Sequence, residues 1–176
     1  MKPQIVTLEG HKVMVLDNVP LSISPPPISG YWNELVPDFE PKDVLILGLG
    51  GGTVATLIKS KYTKAKIIGV DNNKDTIDLA KKEMGLPKSV KVLIKDAFEY
   101  VYSSEDKFDL IVVDIWNGGM FDTKVFAPDF MESVKKLLNT GGKIYLNAPN
   151  LDILAENVGY GEKTEIHTNS IYKYEH

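Results

Sequence analysis

The sequence predicts a doubly wound α/β fold with a mostly parallel sheet, preceded by a short β-hairpin. Three observations carry this reading. From Lys42 onward, apolar runs of strand length alternate with segments of helical periodicity. Residues 44–47 are apolar throughout, as in a parallel strand covered on both faces, and they run straight into Gly48-Leu49-Gly50-Gly51-Gly52 and a helix. A second strand, residues 66–70, ends on Asp71, 21 residues beyond Gly50. Right-handed crossovers then wind the strands into one open sheet.

Taken in order, residues 4–8 and 12–16 are β-prone runs around Glu9-Gly10-His11 and predict a hairpin. Residues 17–30 carry Pro20 and the triplet Pro25-Pro26-Pro27, which predict an irregular or extended segment, because successive prolines disfavour helix and ladder alike. A short helix is expected from Tyr31 to Val36, stopped by Pro37. The helix at 52–61 gathers Val54, Leu57 and Ile58 on one face. The helix at 73–84 does so with Ile77, Ala80 and Met84 before Gly85 ends it. Residues 90–94 form the third strand, leading into Lys95-Asp96-Ala97-Phe98 and a short helix, and residues 108–113 form the fourth, ending on Asp114. The helix at 128–138 starts on Pro128 and has an apolar face of Phe130, Val134, Leu137 and Leu138. Thr140-Gly141-Gly142 turns into the fifth strand at 143–146; a weak helix near 150–157 and β-prone runs at 163–168 and 170–174 follow. Two units result, residues 1–41 with the hairpin and proline-rich segment, and residues 42–176 as a cofactor-binding α/β domain.

Composition narrows the function. The 176 residues are 43% hydrophobic and 25% charged, ordinary for one globular domain. The net charge is −4, and all 20 basic residues are lysines, so bidentate arginine recognition of phosphate or guanine is absent and no nucleic-acid partner is expected. Without cysteine there is no disulfide, cysteine-zinc site or thiol nucleophile, and no metal site is expected. No apolar run reaches the ~20 residues that span a bilayer, and the opening Met-Lys-Pro-Gln lacks the apolar core of a signal peptide, so a cytoplasmic protein is expected. His11, His167 and His176 are scattered and take no role; Lys81-Lys82 and Lys135-Lys136 read as solvated helix faces.

Strand, glycine turn, helix is a nucleotide-binding arrangement. Without Cβ atoms the turn adopts positive φ and lets a ligand touch backbone, and the helix N-terminus is expected to offer free N–H groups. A carboxylate about 20 residues on accepts from ribose hydroxyls. The spacing is not that of an NAD fingerprint, because Thr53 stands where Gly-x-Gly-x-x-Gly needs its last glycine, and no Gly-Lys-Ser/Thr follows for a P-loop. The plainer readings are that the glycines merely turn a corner, that Asp96 caps the following helix, and that Asp114 is a polar strand end facing water.

Gly48-x-Gly50-x-Gly52, Asp71, Asp96, Asp114 and Gly141-Gly142 follow in the order seen in Rossmann-like class I S-adenosylmethionine-dependent methyltransferases. More narrowly, residues 5–147 resemble the spermidine synthase-like family. Val70-Asp71-Asn72-Asn73 stands for that family's Val-Glu-x-Asp, Lys95-Asp96-Ala97 for its Gly-Asp-Ala, and Ile111-Val112-Val113-Asp114 for its Ile-Ile-Val-Asp. The resemblance implies S-adenosylmethionine or its decarboxylated form as cofactor, held by Gly48, Leu49, Gly50, Gly51, Gly52, Asp71, Asn72, Asp96, Ala97, Phe98 and Asp114. Asp71 would accept from both ribose hydroxyls and Asp96 from the adenine amine, with Leu49, Asn72 and Phe98 around the purine. Asp114 would serve as catalytic base, and a homodimer through the hairpin is implied as well.

The chain departs from the family in four places. The first motif lacks the acid of Gly-Gly-Gly-Asp-Gly-Gly, and the Asp-Ser-Ser-Asp loop becomes Asp114-Ile115-Trp116-Asn117. The family's N-terminal glutamine and Tyr-His pair have no clear equivalent. A multiply charged amine wants compensating carboxylates, so the expected function is a methyltransferase acting on a small acceptor. The acceptor would enter over Tyr31-Trp32, residues 115–126 and the segment after Ala148. The alternatives are aminopropyl transfer to a diamine, or a non-catalytic member of the family.

Overall fold

The computed structural model describes residues 2–117, 120–166 and 169–176. His167, and the end of the β-prone run at 163–168, lie outside the described residues. Seven strands form the central sheet: β4 (Asp43–Leu47), β5 (Lys66–Asp71), β6 (Lys91–Ile94), β7 (Phe108–Val113), β10 (Leu138–Ala148), β11 (Glu162–Ile166) and β12 (Asn169–Glu175), in the order β11-β12-β10-β7-β4-β5-β6. β4, β5, β6, β7 and β10 run parallel, whereas β12 pairs antiparallel with both β10 and β11. This is the class I methyltransferase fold.

The apolar runs follow from burial on both faces. Leu45, Leu47, Ile111 and Val113 pack with α4 (Ala97–Ser103), α5 (Pro128–Lys136) and α6 (Asp152–Asn157). The alternating residues Val44, Ile46, Leu110 and Val112 pack with α1 (Tyr31–Glu34), α2 (Thr53–Lys61) and α3 (Lys74–Glu83). The chain leaves β4 toward β5 and β6 but returns to β7 on the other side, so the topological switch lies between β4 and β7.

Two expectations change. Residues 17–30 are not wholly irregular, because β1 (Gln4–Leu8), β2 (His11–Leu16) and β3 (Val19–Ser24) form a three-stranded antiparallel sheet. Pro20 is tolerated because β3 pairs on one side only, and the register slips beside it between Met14 and Val15. The last helix before β10 stops at Lys136, and Gly141-Gly142 forms a bulge inside a longer strand rather than its start. The fourth parallel strand leads into a two-residue pairing of β8 (Trp116–Asn117) with β9 (Met120–Phe121), then a 3-10 turn at Thr123–Phe126. Among the described residues, no helix is long and apolar enough to cross a membrane.

Candidate functional site

The carboxyl ends of β4 and β7 open into a cleft of about 1000 Å³, where open α/β sheets bind ligands. Its floor is the turn after β4. Gly48, Gly50 and Gly52 there have φ of +86°, +54° and +86°. Gly48, Leu49 and Gly50 line the cleft; Gly51 and Gly52 do not, being buried beneath it against Ser22 and Leu86. Leu49 also packs its side chain into the core over Gly69.

The amides of the turn itself, ahead of the helix that starts at Thr53, are not free. Gly48 N and Leu49 N donate to Val70 O, Gly52 N to Leu49 O, Gly50 N to Asp71 Oδ2 at 2.8 Å, and Gly51 N to Ser22 Oγ at 2.6 Å. Every amide from Gly48 to Gly52 is therefore committed within the protein, and the turn is a poor seat for an anion.

Asp71 is a strut as well as a candidate ligand. Its Oδ1 accepts from Asn73 N at 2.9 Å while Oδ2 holds Gly50 N. Burial raises its pKa, and the two amides partly offset that. An ionised carboxylate has about four lone-pair sites, so two backbone donors leave capacity for ligand hydroxyls. Asn72, next in the chain, lines the same cleft, and Asn73 caps α3 through Thr76 N.

Asp96 both caps the helix that follows it and faces the cleft. Its Oδ1 caps α4 by accepting from Phe98 N and Glu99 N, at 2.9 and 3.0 Å, and the residue lines the cleft beside Ala97 and Phe98. The Phe98 ring rests against Phe130, centroids 4.7 Å apart.

Asp114 does not simply face water. Burial pushes its carboxyl up to about 6, against the lowering hydrogen bond donated by Asn147. Tyr31 stands near enough that Asp114, after burial, raises its hydroxyl further. Tyr31, Trp32, Ile115, Trp116 and Pro149 line the cleft. Among the described residues, four carboxylates, Asp71, Asp96, Asp114 and Asp122, share the lining with one ammonium, Lys124.

Four contributors were not anticipated. Ser22 reaches the glycine turn from β3, and Thr53 Oγ1 both accepts from Ile23 N and donates to Ile23 O, so β3 is fastened over the turn. Asn147 and Asn169 line the cleft from β10 and β12. Ser22 sits in a segment read as irregular and carries no local signal; Asn147 does, as an amide closing the apolar run Ile144-Tyr145-Leu146. Lys135 corrects the reading of its pair as solvated: its ammonium donates to Val158 O at 2.6 Å and lies 4.3 Å from the Tyr174 ring centre. Burial lowers its pKa.

The sequence matches the spermine/spermidine synthase domain family over residues 18–170. It is 33% identical over 103 residues to a probable polyamine aminopropyl transferase of Bifidobacterium longum, covering 58% of this chain and 23% of that protein. It is 31% identical over 123 residues to a polyamine aminopropyltransferase of Pyrobaculum aerophilum, covering 62% of this chain and 42% of that protein. The chain thus spans less than half the length of these curated relatives. Its fold superposes on a probable spermidine synthase from Corynebacterium glutamicum with a TM-score of 0.78 at 15% identity, covering 98% of this chain and 76% of that one.

Proposed function

Because the chain belongs to the spermine/spermidine synthase domain family, we propose that its cleft transfers an aminopropyl group from decarboxylated S-adenosylmethionine to a small amine acceptor. The carrying observation is charge: four carboxylates against one ammonium line the cleft. Both reactants are multiply cationic, and carboxylates offset the cost of taking such charges out of water. This reverses the order of the two transfer readings drawn from the sequence. The first-motif acid is missing, yet Asp122 joins Asp114 in the lining, while Asp71 and Asp96 add negative charge on the nucleoside side. An intact methionine carboxylate would instead need donors, and the amides of Gly48 to Gly52 are spent.

In this reading residues 42–176 form the cofactor-binding domain and residues 1–41 cover it. Asp71 accepts from the ribose hydroxyls, and Asp96 with Ala97 and Phe98 receives the adenine. Gly48, Leu49, Gly50 and Asn72 frame the nucleoside, while Gly51 and Gly52 shape the turn from below. When bound, the sulfonium supplies an electrophilic carbon whose C–S bonding pair leaves with sulfur as a thioether, as the acceptor nitrogen forms the new N–C bond. Alignment in an enclosed pocket supplies most of the catalysis. Asp114, ionised above about pH 6, takes the proton that the attacking nitrogen must lose. Self-association would use the β1 edge, where Val6 and Leu8 are exposed.

Methyl transfer from intact S-adenosylmethionine is the second reading, favoured by Gly51 standing where the resembling aminopropyltransferases carry aspartate. Calorimetric titration with each nucleoside, followed by a turnover assay with putrescine, separates the two. Tighter binding of the decarboxylated form with release of methylthioadenosine is expected. Preference for the intact form would promote methyl transfer, and binding of neither would remove both.

A further inference from the structure

A row of three polar side chains crosses the sheet at the carboxyl end of β7. Strand register puts them there. Leu146 of β10 pairs with Val113 of β7, so the residues that follow, Asn147 and Asp114, stand side by side. Asn147 pairs with Ile171 of β12, which makes Asn169 its diagonal neighbour on the same face. Asn147 Nδ2 donates to Asp114 Oδ1 at 2.8 Å, and Asn169 Nδ2 donates to Asn147 Oδ1 at 2.9 Å. Asn147 is 0% exposed. A primary amide at such a position is costly unless both its ends are met, and here both are. An ionised carboxylate only accepts, so the NH₂ edge of Asn147 must face Asp114. Asn169, engaging the carbonyl edge, opposes a flip of that amide.

We propose that Asn147, anchored by Asn169, is the positioning residue for Asp114: it holds one carboxyl oxygen at the strand end and leaves the other to receive the acceptor's proton. This rests on the reading of Asp114 as the general base. The groups that face Asp114 are Tyr31 from α1, Trp116 from β8 and Asn147 from β10. Asp71 and Asp96 share the cleft from the ends of β5 and β6. Burial opposes ionisation of Asp114, and the hydrogen bond donated by Asn147 favours it. Without that donor, burial acts with less opposition.

The test is ¹³C NMR titration of the Asp114 carboxyl in the ligand-free protein. Asn147→Leu keeps similar volume and removes the donor; the Asp114 midpoint is expected to rise by about one pH unit or more. Asn169→Ala leaves the donor but frees its far end, and a smaller rise is expected. In turnover with decarboxylated S-adenosylmethionine and putrescine, the acid limb of kcat/KM should move by the same amount, with nucleoside affinity unchanged. A midpoint unmoved in both variants overturns the proposal. A moved midpoint in a protein that shows no aminopropyl turnover even unmutated leaves the positioning role standing and removes the proposed function instead. Should Asn147→Leu not fold, Asn169→Ala alone decides: no shift there overturns the proposal.

Discussion

A Cβ added at Gly48 would stand 2.1 Å from the carbonyl oxygen of Asp114. The turns after β4 and β7 meet backbone to backbone at the topological switch, and this contact brings the glycine turn against Asp114. Gly48→Ala meets both a steric wall and a φ of +86°. A loss of about 3 kcal/mol or more is expected, from overpacking added to backbone strain. Gly10→Ala is the control, because its φ is +82° but nothing lies within 4 Å of the added atom. It should cost only the left-handed backbone penalty, about 1–2 kcal/mol. Urea midpoints of the two variants at equal m-values check the difference.

Ser22 and Gly51 form the second close pair. An added Cβ at Gly51 would lie 2.6 Å from the Ser22 Cβ, and Ser22 Oγ accepts the Gly51 N–H. No side chain fits at position 51 while β3 stays docked. Gly51→Ala is therefore expected to weaken nucleoside binding by lifting β3 from the turn, and Ser22→Gly should restore part of the lost stability in the double variant. Ser22→Ala alone orphans a buried amide and should cost about 1–3 kcal/mol. Hydrogen exchange at the Gly51 and Ile23 amides would reveal whether the clasp has opened.

Much of this architecture is legible in the sequence because its parallel strands are buried on both faces. Residues 44–47 and 110–113 carry no polar position to blur the pattern, Asp114 closes the second of these runs, and Asp71 and Asp96 follow the neighbouring strands. β3 is hidden by Pro20, which an edge strand tolerates without leaving a local sign. The partners of the turn amides are equally invisible, since Ser22 lies 29 residues from Gly51 and only the folded sheet brings them together. Asn147 was readable as a polar residue in an apolar run, but its partner Asp114 is 33 residues away. Sequence therefore identified Asp71, Asp96 and Asp114 and missed the groups that hold them.

Asp71→Asn tests the strut. The carboxylate accepts from Gly50 N and Asn73 N through different oxygens; an amide has one oxygen and must turn its NH₂ toward one of those donors. A stability loss of about 1–3 kcal/mol is expected. Methylthioadenosine affinity should fall at least tenfold, because the turn loosens and the acceptor for the ribose hydroxyls is halved. Unchanged affinity by calorimetry would remove Asp71 from the proposed ribose site.

Asp114 makes stability depend on pH in the direction opposite to a paired carboxylate. An unfolded aspartate titrates near 3.9, whereas burial raises this one to about 6 in the folded protein. The folded state therefore binds more protons between those two values. The group's favourable contribution is present below about pH 4, is lost as pH rises through about 6, and stays lost above. The difference is on the order of 3 kcal/mol at about 1.36 kcal/mol per pH unit. Asp114→Asn keeps an oxygen to accept from Asn147 Nδ2 but never ionises. It should match the parent near pH 4 and become more stable than the parent by about 1–3 kcal/mol at pH 8, while losing transfer activity. Urea unfolding of both proteins from pH 4 to 8 measures this directly, and a constant difference across that range would mean that Asp114 keeps an ordinary carboxylate pKa in the fold.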